Sequence, residues 1–318
     1  MSARRVALRA GVSILVPLLV LYAVDRVEWS IFATFGAFTS LYGRERVGSA
    51  RLRLQGRVAL YLTVAVGLGT LVGTSSERAW LAVPAAATVA ALGSFASDAE
   101  GWHPPGPLFL VFAFAACAAI PSTPSDLPVA LGVAAASAAF SVVVGNVGAW
   151  WRREDGMPPG RPSYVASLRW HVLPCSVGVL VAGLVATASG IGHPYWAMVS
   201  AVVPLVAQDF RHQVVRGLHR VVGTLAGLVV AAGLFGLDLD GLAVILVVVA
   251  LQALAELVVG RNYALALVAI TPLALLMVHL AAPVPTSELL ADRGVETVIG
   301  VGVGVLVGYV TRVRYPRS

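Results

Sequence analysis

"HPYWAMVSAVVPLVAQDFRHQVVRGLHRVVGTLAG", His193 to Gly227, starts as an apolar segment, turns abruptly basic and then resumes as apolar chain. An earlier stretch, "EWSIFATFGAFTSLYGRERVGSARLRLQGRVALYL", does the same from Glu28 to Leu62. These corners decide the fold, because the apolar arm in front of each is short. Trp29–Gly43 and Tyr195–Gln208 hold roughly 15 helical residues, about 22 Å of helix against a hydrocarbon core of about 30 Å. Either they cross in a thinned or shielded place, or they dip in and return.

Working outward, 58% hydrophobic and 12% charged residues with a mean hydropathy of +0.85 leave too little polar surface to cover a soluble globule. The chain reads as an all-α integral membrane protein. Ten apolar stretches near 6–24, 55–74, 79–96, 105–121, 127–150, 170–190, 219–237, 241–259, 262–282 and 294–311 are candidate spans. The Arg-rich, apolar start resembles a secretory signal, but no small-x-small cleavage site precedes Asp25, so it is expected to be a retained first span. Cys117 and Cys175 fall inside apolar segments and read as small fillers rather than a disulfide.

Arginine orients the spans, since all 22 basic residues are Arg and cytoplasmic loops retain positive charge. If both short segments cross, Arg4, Arg5, Arg9, the set from Arg44 to Arg57, Arg152, Arg153, Arg161, Arg169, Arg211, Arg216, Arg220, Arg261, Arg312, Arg314 and Arg317 share the cytoplasmic side. Only Arg26, Arg78 and Arg293 remain outside. Re-entrant segments would put the Arg44–Arg57 group opposite Arg4 and Arg5. The expectation is therefore about twelve transmembrane helices with both termini inside. They divide at a polar linker, 151–169, into two six-span halves, 1–150 and 170–318. Placing Trp29 on Trp196 sets Arg44 on Arg211, Arg53 on Arg220 and Gly56 on Gly223 without a gap, which predicts two parallel repeats about an axis along the membrane normal.

Short or interrupted segments at matching places of two repeats point to a substrate site. Gly36 and Pro204 fall one position apart, and Pro204 removes a backbone N–H inside its helix. A proline kink absorbed by neighbouring helices is the plainer alternative. The corner arginines Arg44, Arg53, Arg57, Arg211, Arg216 and Arg220 suit a carboxylate, which a guanidinium binds through two parallel hydrogen bonds. Topology and lipid phosphate explain any one of them equally well. Arg53 and Arg220 are singled out because each precedes a Gly at the mouth of a span, where close helix approach turns a side chain inward. Trp29, Trp196 and Tyr195 mark the outer interface or line a path for flat solutes. Asp209, Glu256 and Glu296 are proton-coupling candidates, because a charge at membrane depth usually faces a cavity or a partner. Glu256 near Arg261 is alternatively an ion-paired helix end.

There is no phosphate-binding loop, no H-E-x-x-H and no C-x-x-C, so neither an enzyme, a cofactor nor a metal is expected. The net charge of +6 follows from the cytoplasmic Arg and requires no nucleic acid. Membrane lipid and a small organic anion are the expected partners, and a homo-oligomer is left open.

"HPYWAMVSAVVPLV", "RHQVVRGLHRVVGTLAG", "RNYALALVAITPLALLM" and "ADRGVETVIG", in that order, resemble the fusaric acid resistance and aromatic acid exporter family, which is also similar to the plant aluminium-activated malate transporters. The resemblance rests on R-x-x-G-T at Arg220, Gly223 and Thr224, on Asn262 and Tyr263 leading to Thr271 and Pro272, and on D-R-x-x-E-T-x-x-G from Asp292 to Gly300. The first half keeps Trp29, Arg53 and Gly56 but has Arg57 in place of Thr224. The resemblance implies an inner-membrane, all-helical carrier or channel for organic anions, aromatic carboxylates foremost. Three functions are carried forward: secondary-active export, a passive anion channel, and a membrane scaffold for envelope enzymes that transports nothing.

Overall fold

The computed structural model describes residues 3–147, 171–207, 209–281 and 284–311, and among these all regular structure is helical. In the first half run α1 (Ala3–Ala23), α2 (Ser30–Ala37), α3 (Gly48–Gly73), α4 (Arg78–Glu100), α5 (Leu108–Ala119) and α6 (Asp126–Asn146). In the second run α7 (Leu173–Ala188), α8 (Tyr195–Leu205), α9 (Phe210–Phe235), α10 (Gly241–Val258), α11 (Tyr263–Ala281) and α12 (Thr286–Thr311). The expected linker 151–169 and the tail arginines Arg312, Arg314 and Arg317 lie outside the described residues.

Eight helices, α1, α3, α4, α6 and α9 to α12, are long and apolar enough to cross a membrane, while α5, α7 and α8 are shorter apolar helices. The stretch read as a span at 105–121 forms only the 12 residues of α5. Pro104, Pro105 and Pro107 hold the chain out of a helix until Leu108, and Ile120 is extended before Pro121. The two short segments have a clear environment. Every residue of α2 and of α8 is buried, so these helices meet protein rather than lipid along their length. A 3₁₀ turn, Phe38–Leu41, extends α2 towards the basic corner.

Local chemistry sets the helix starts around the second corner. Asp209 caps α9 by accepting from the His212 backbone N–H at 2.9 Å, and Asp240 caps α10 through Ala243 at 2.7 Å. Asn262 Oδ1 accepts from the Leu265 N–H at 3.1 Å and so starts α11. Packing then follows small residues, because lipid-facing helices gain little from apolar burial and associate where backbones approach closely.

The helices pair in a matched pattern. In the first half α2 packs on α6, and α3 packs on α5 and α6; in the second α8 packs on α12, and α9 on α11 and α12. Across the halves, α1 lies on α10 and α7 on α4, while α5 meets α8 and α2 meets α11. Near the last two contacts, the 3₁₀ turn after α2 and helices α5, α8, α9, α10, α11 and α12 line a cavity.

Candidate functional site

The cavity has a volume of about 210 Å³ and its walls are mainly apolar. The first half contributes Phe38, Leu41, Leu108, Phe109 and Phe112; the second contributes Trp196, several valines of α8, Leu273 and Ala274. Phe38 and Phe109 meet edge-on at 5.1 Å, and Phe112 lies 5.1 Å from the Trp196 ring. Such rings favour a flat apolar guest through offset and edge contacts.

Set into this wall are Arg44, Arg216, Arg220, Arg293, Glu256, Gln252 and Tyr263. Exposure falls along the cavity. Arg216 is exposed and Arg44 partly so, whereas Arg220 is 4% and Arg293 1% exposed. The Arg216 end is therefore the more exposed and the Arg293 end the more buried.

Arg220 points inward because α9 lies directly against α11 one turn later. A Cβ added at Gly223 would collide with the Ala264 carbonyl oxygen. Arg220 Nε and Nη2 both donate to Ser200 Oγ at 3.3 Å, and Nη1 donates to the Tyr263 hydroxyl at 3.5 Å. These bonds are long and go to neutral oxygens, so a carboxylate would readily compete for the same donors.

Arg293 stacks its guanidinium 3.9 Å from the centroid of Trp196. Its Nε and Nη1 are buried and have no hydrogen-bond partner. Among the described residues neither Arg220 nor Arg293 forms an ion pair. Removing an unpaired cation from water costs several kcal/mol, of which a cation–π contact returns about 2 kcal/mol. Behind Arg293, Asp292 pairs with His193 at 2.7 Å, and Glu296 Oε1 accepts from the His193 backbone N–H at 3.1 Å. The other Glu296 oxygen is buried without a partner.

The residues singled out from sequence divide sharply. Arg220, Trp196, Tyr263 and Glu256 line the cavity, and Tyr195 lies tilted against Trp196 with ring centroids 4.6 Å apart. Pro204 lies in α8 against Gly304, and Gly36 lies against the Ala134 carbonyl, both serving helix contact. Thr224 and Thr271 are buried, the latter facing Gly227 across the α9–α11 contact, and both hydroxyls lack partners. Arg53, Arg57 and Arg211 are exposed and stand apart from the cavity. Arg53 binds back to Ser49 on its own helix, and Arg57 pairs with Glu100 at 3.2 Å. Asn262 is the α11 cap, and Trp29 is half-buried with Arg26 over its ring at 5.5 Å. Asp209 is exposed, and the His212 backbone N–H and imidazole hold its carboxyl below the usual range, so at neutral pH it is a charged helix cap. Sequence reasoning missed Arg293, which charge counting set outside, and Ser200. The available signal was spacing: Arg293, Glu296 and Gly300 stand three and seven apart, on the face of α12 that meets α8.

Residues 180–307 match the family described as fusaric acid resistance protein-like. The match covers less than half of the chain. The matched segment contains Arg220, Arg293, Ser200 and Tyr263, and excludes Arg53 and Arg57. A stretch of 138 residues, 43% of the chain, is 27% identical to the uncharacterized membrane protein YvaC of Bacillus subtilis (strain 168). It spans 21% of that relative's length. No solved structure matches the chain. The membrane-protein relative and the eight membrane-length apolar helices support a multi-pass membrane protein.

Proposed function

We propose that this protein exports small organic anions, aromatic carboxylates foremost, across the cell's inner membrane. The carboxylate is received by Arg220 and Arg293, and the ring lies among Phe38, Phe109, Phe112 and Trp196. One observation carries the reading: Arg293 lines an apolar cavity while 1% exposed, with two guanidinium nitrogens unpartnered. A buried cation without a partner is destabilising, and an anionic guest supplies the missing charge and acceptors. Export is the favoured direction because the more exposed end carries Arg44 and Arg216, which the charge rule assigns to the cytoplasm along with both termini. Glu296, behind Arg293 with a free oxygen, is the group for proton coupling.

The same reading takes the twelve helices as two six-helix repeats, supported by their matched packing.

Flux into proteoliposomes tests the function, with benzoate, cyclohexanecarboxylate and neutral benzamide as solutes. Benzoate is expected to move fastest and benzamide not above protein-free vesicles. Accumulation abolished by a protonophore marks a coupled carrier, and current that follows the benzoate gradient marks a channel. Movement of none of the carboxylates would refute the reading and leave the scaffold role.

A further inference from the structure

Arg44 and Glu256 both line the cavity, towards its more exposed side, and they come from opposite halves of the chain. Arg44 stands in the basic corner that follows α2, and Glu256 in the last turn of α10. Their side chains meet at 3.5 Å, with that of Glu256 8% exposed and that of Arg44 23%. Gln252, one turn earlier on α10, donates to the other Glu256 oxygen at 3.4 Å. Arg44 Nε is buried without a partner. The corner bearing Arg44 is itself anchored on its far side, where Arg46 donates to the backbone carbonyls of Glu100 and Gly101. An ion pair between two anchored elements thus lines the same cavity as Arg220, nearer its more exposed part.

We propose that the Arg44–Glu256 pair is an entrance filter, opened when an incoming anion takes Arg44 from Glu256. This rests on the reading of the cavity as an anion site. A carboxylate or sulfonate offers Arg44 the charge that Glu256 supplies and can also reach the unpartnered Nε. A neutral solute of the same size offers nothing in exchange and leaves the pair closed. Glu256 thereby makes passage conditional on negative charge, a selectivity that four cavity arginines alone would not confer on neutral molecules.

The filter can be read without transport. Val203 is a buried cavity-lining position, and Val203→Cys places a single thiol there in purified full-length protein whose Cys117 and Cys175 are replaced by Ala. Its labelling rate is measured with an anionic sulfonatoethyl methanethiosulfonate and with a neutral methyl methanethiosulfonate. Loss of a partly buried ion pair worth about 1 kcal/mol should raise neutral labelling about fivefold in Glu256→Gln and in Arg44→Gln. Anionic labelling should rise in Glu256→Gln but not in Arg44→Gln, where the receiving charge is gone. The exchange Arg44→Glu with Glu256→Arg should return the neutral rate to near the parent value, which a merely loosened fold would not do. Unchanged neutral rates in both single variants, or an exchange variant as fast as the singles, would overturn the filter. Benzoate protection of the introduced thiol reports separately on the deeper site: absence of protection refutes anion binding at Arg220 and Arg293 whatever the filter does.

Discussion

The Arg-x-x-Gly turns of α3 and α9 look alike in sequence and behave differently in the fold. In α9, Gly223 is pressed against the α11 backbone and Arg220 is drawn into the cavity. In α3, nothing lies within 4 Å of a Cβ placed on Gly56, and Arg53 stays exposed on its own helix. A glycine next to an arginine turns it inward only where another backbone occupies the space that the glycine leaves. The first half uses a different arginine at its corner: Arg51 is buried and donates to the Gly43 and Gly145 carbonyls, at 3.0 and 3.4 Å, tying the turn to α6. Arg51 therefore braces one basic corner, whereas the corresponding turn of α9 directs Arg220 into the cavity.

The sharpest way to break this comparison is to fill both glycines. Gly223→Leu should destabilise the protein by roughly 3 kcal/mol, since α9 and α11 must separate. Gly56→Leu should melt like the parent, and thermal unfolding in detergent with the yield of monodisperse protein reads both. Equal melting of the two variants would remove the asymmetry. Next in size, Arg220→Lys should lower benzoate flux about tenfold at equal membrane abundance, because an ammonium cannot present the planar fork. Arg53→Lys should leave flux within about twofold, as an exposed charge that either residue provides.

The all-helical membrane fold, the two short segments and the inward Arg220 were legible in the sequence. Hydropathy, Trp29 and Trp196, and the R-x-x-G-T spacing are local signals, and local signals survive in one dimension. The gapless match of Arg53 to Arg220 was less informative, because glycine-rich helices align by composition while register depends on which backbone sits opposite. Arg293 was hidden for a related reason. Side-counting of arginines sorts residues into two loops and has no category for a guanidinium buried over an indole. The aromatic wall from α5 and the turn after α2 depends on contacts between halves that no spacing within either half encodes.

Two smaller effects refine the contrast. Ser137 Oγ donates to the Ala33 carbonyl at 2.6 Å in the α2–α6 contact, whereas in α8–α12 Gly300 lies against the Ala197 carbonyl. Ser137→Ala should cost about 1 kcal/mol, seen as a modest fall in melting temperature. The Asp209 cap has no counterpart in the first half, where Val47 precedes α3. With a carboxyl held below its unfolded value, its stabilisation is present above the ordinary Asp range and is lost as pH falls through the lower folded value. The difference in melting between the parent and Asp209→Asn should therefore shrink from about pH 6 to about pH 3. A difference that is constant over that range would assign the cap no charge role.

The central claim is that the buried guanidinium groups of Arg220 and Arg293, the latter with two unpartnered nitrogens, receive a carboxylate, and benzoate binding to the purified protein tests it most directly. Isothermal titration should show saturable binding to the parent, at least about tenfold weaker in Arg293→Gln and unchanged in Arg53→Gln. Benzoate bound as tightly by Arg293→Gln as by the parent would contradict the account.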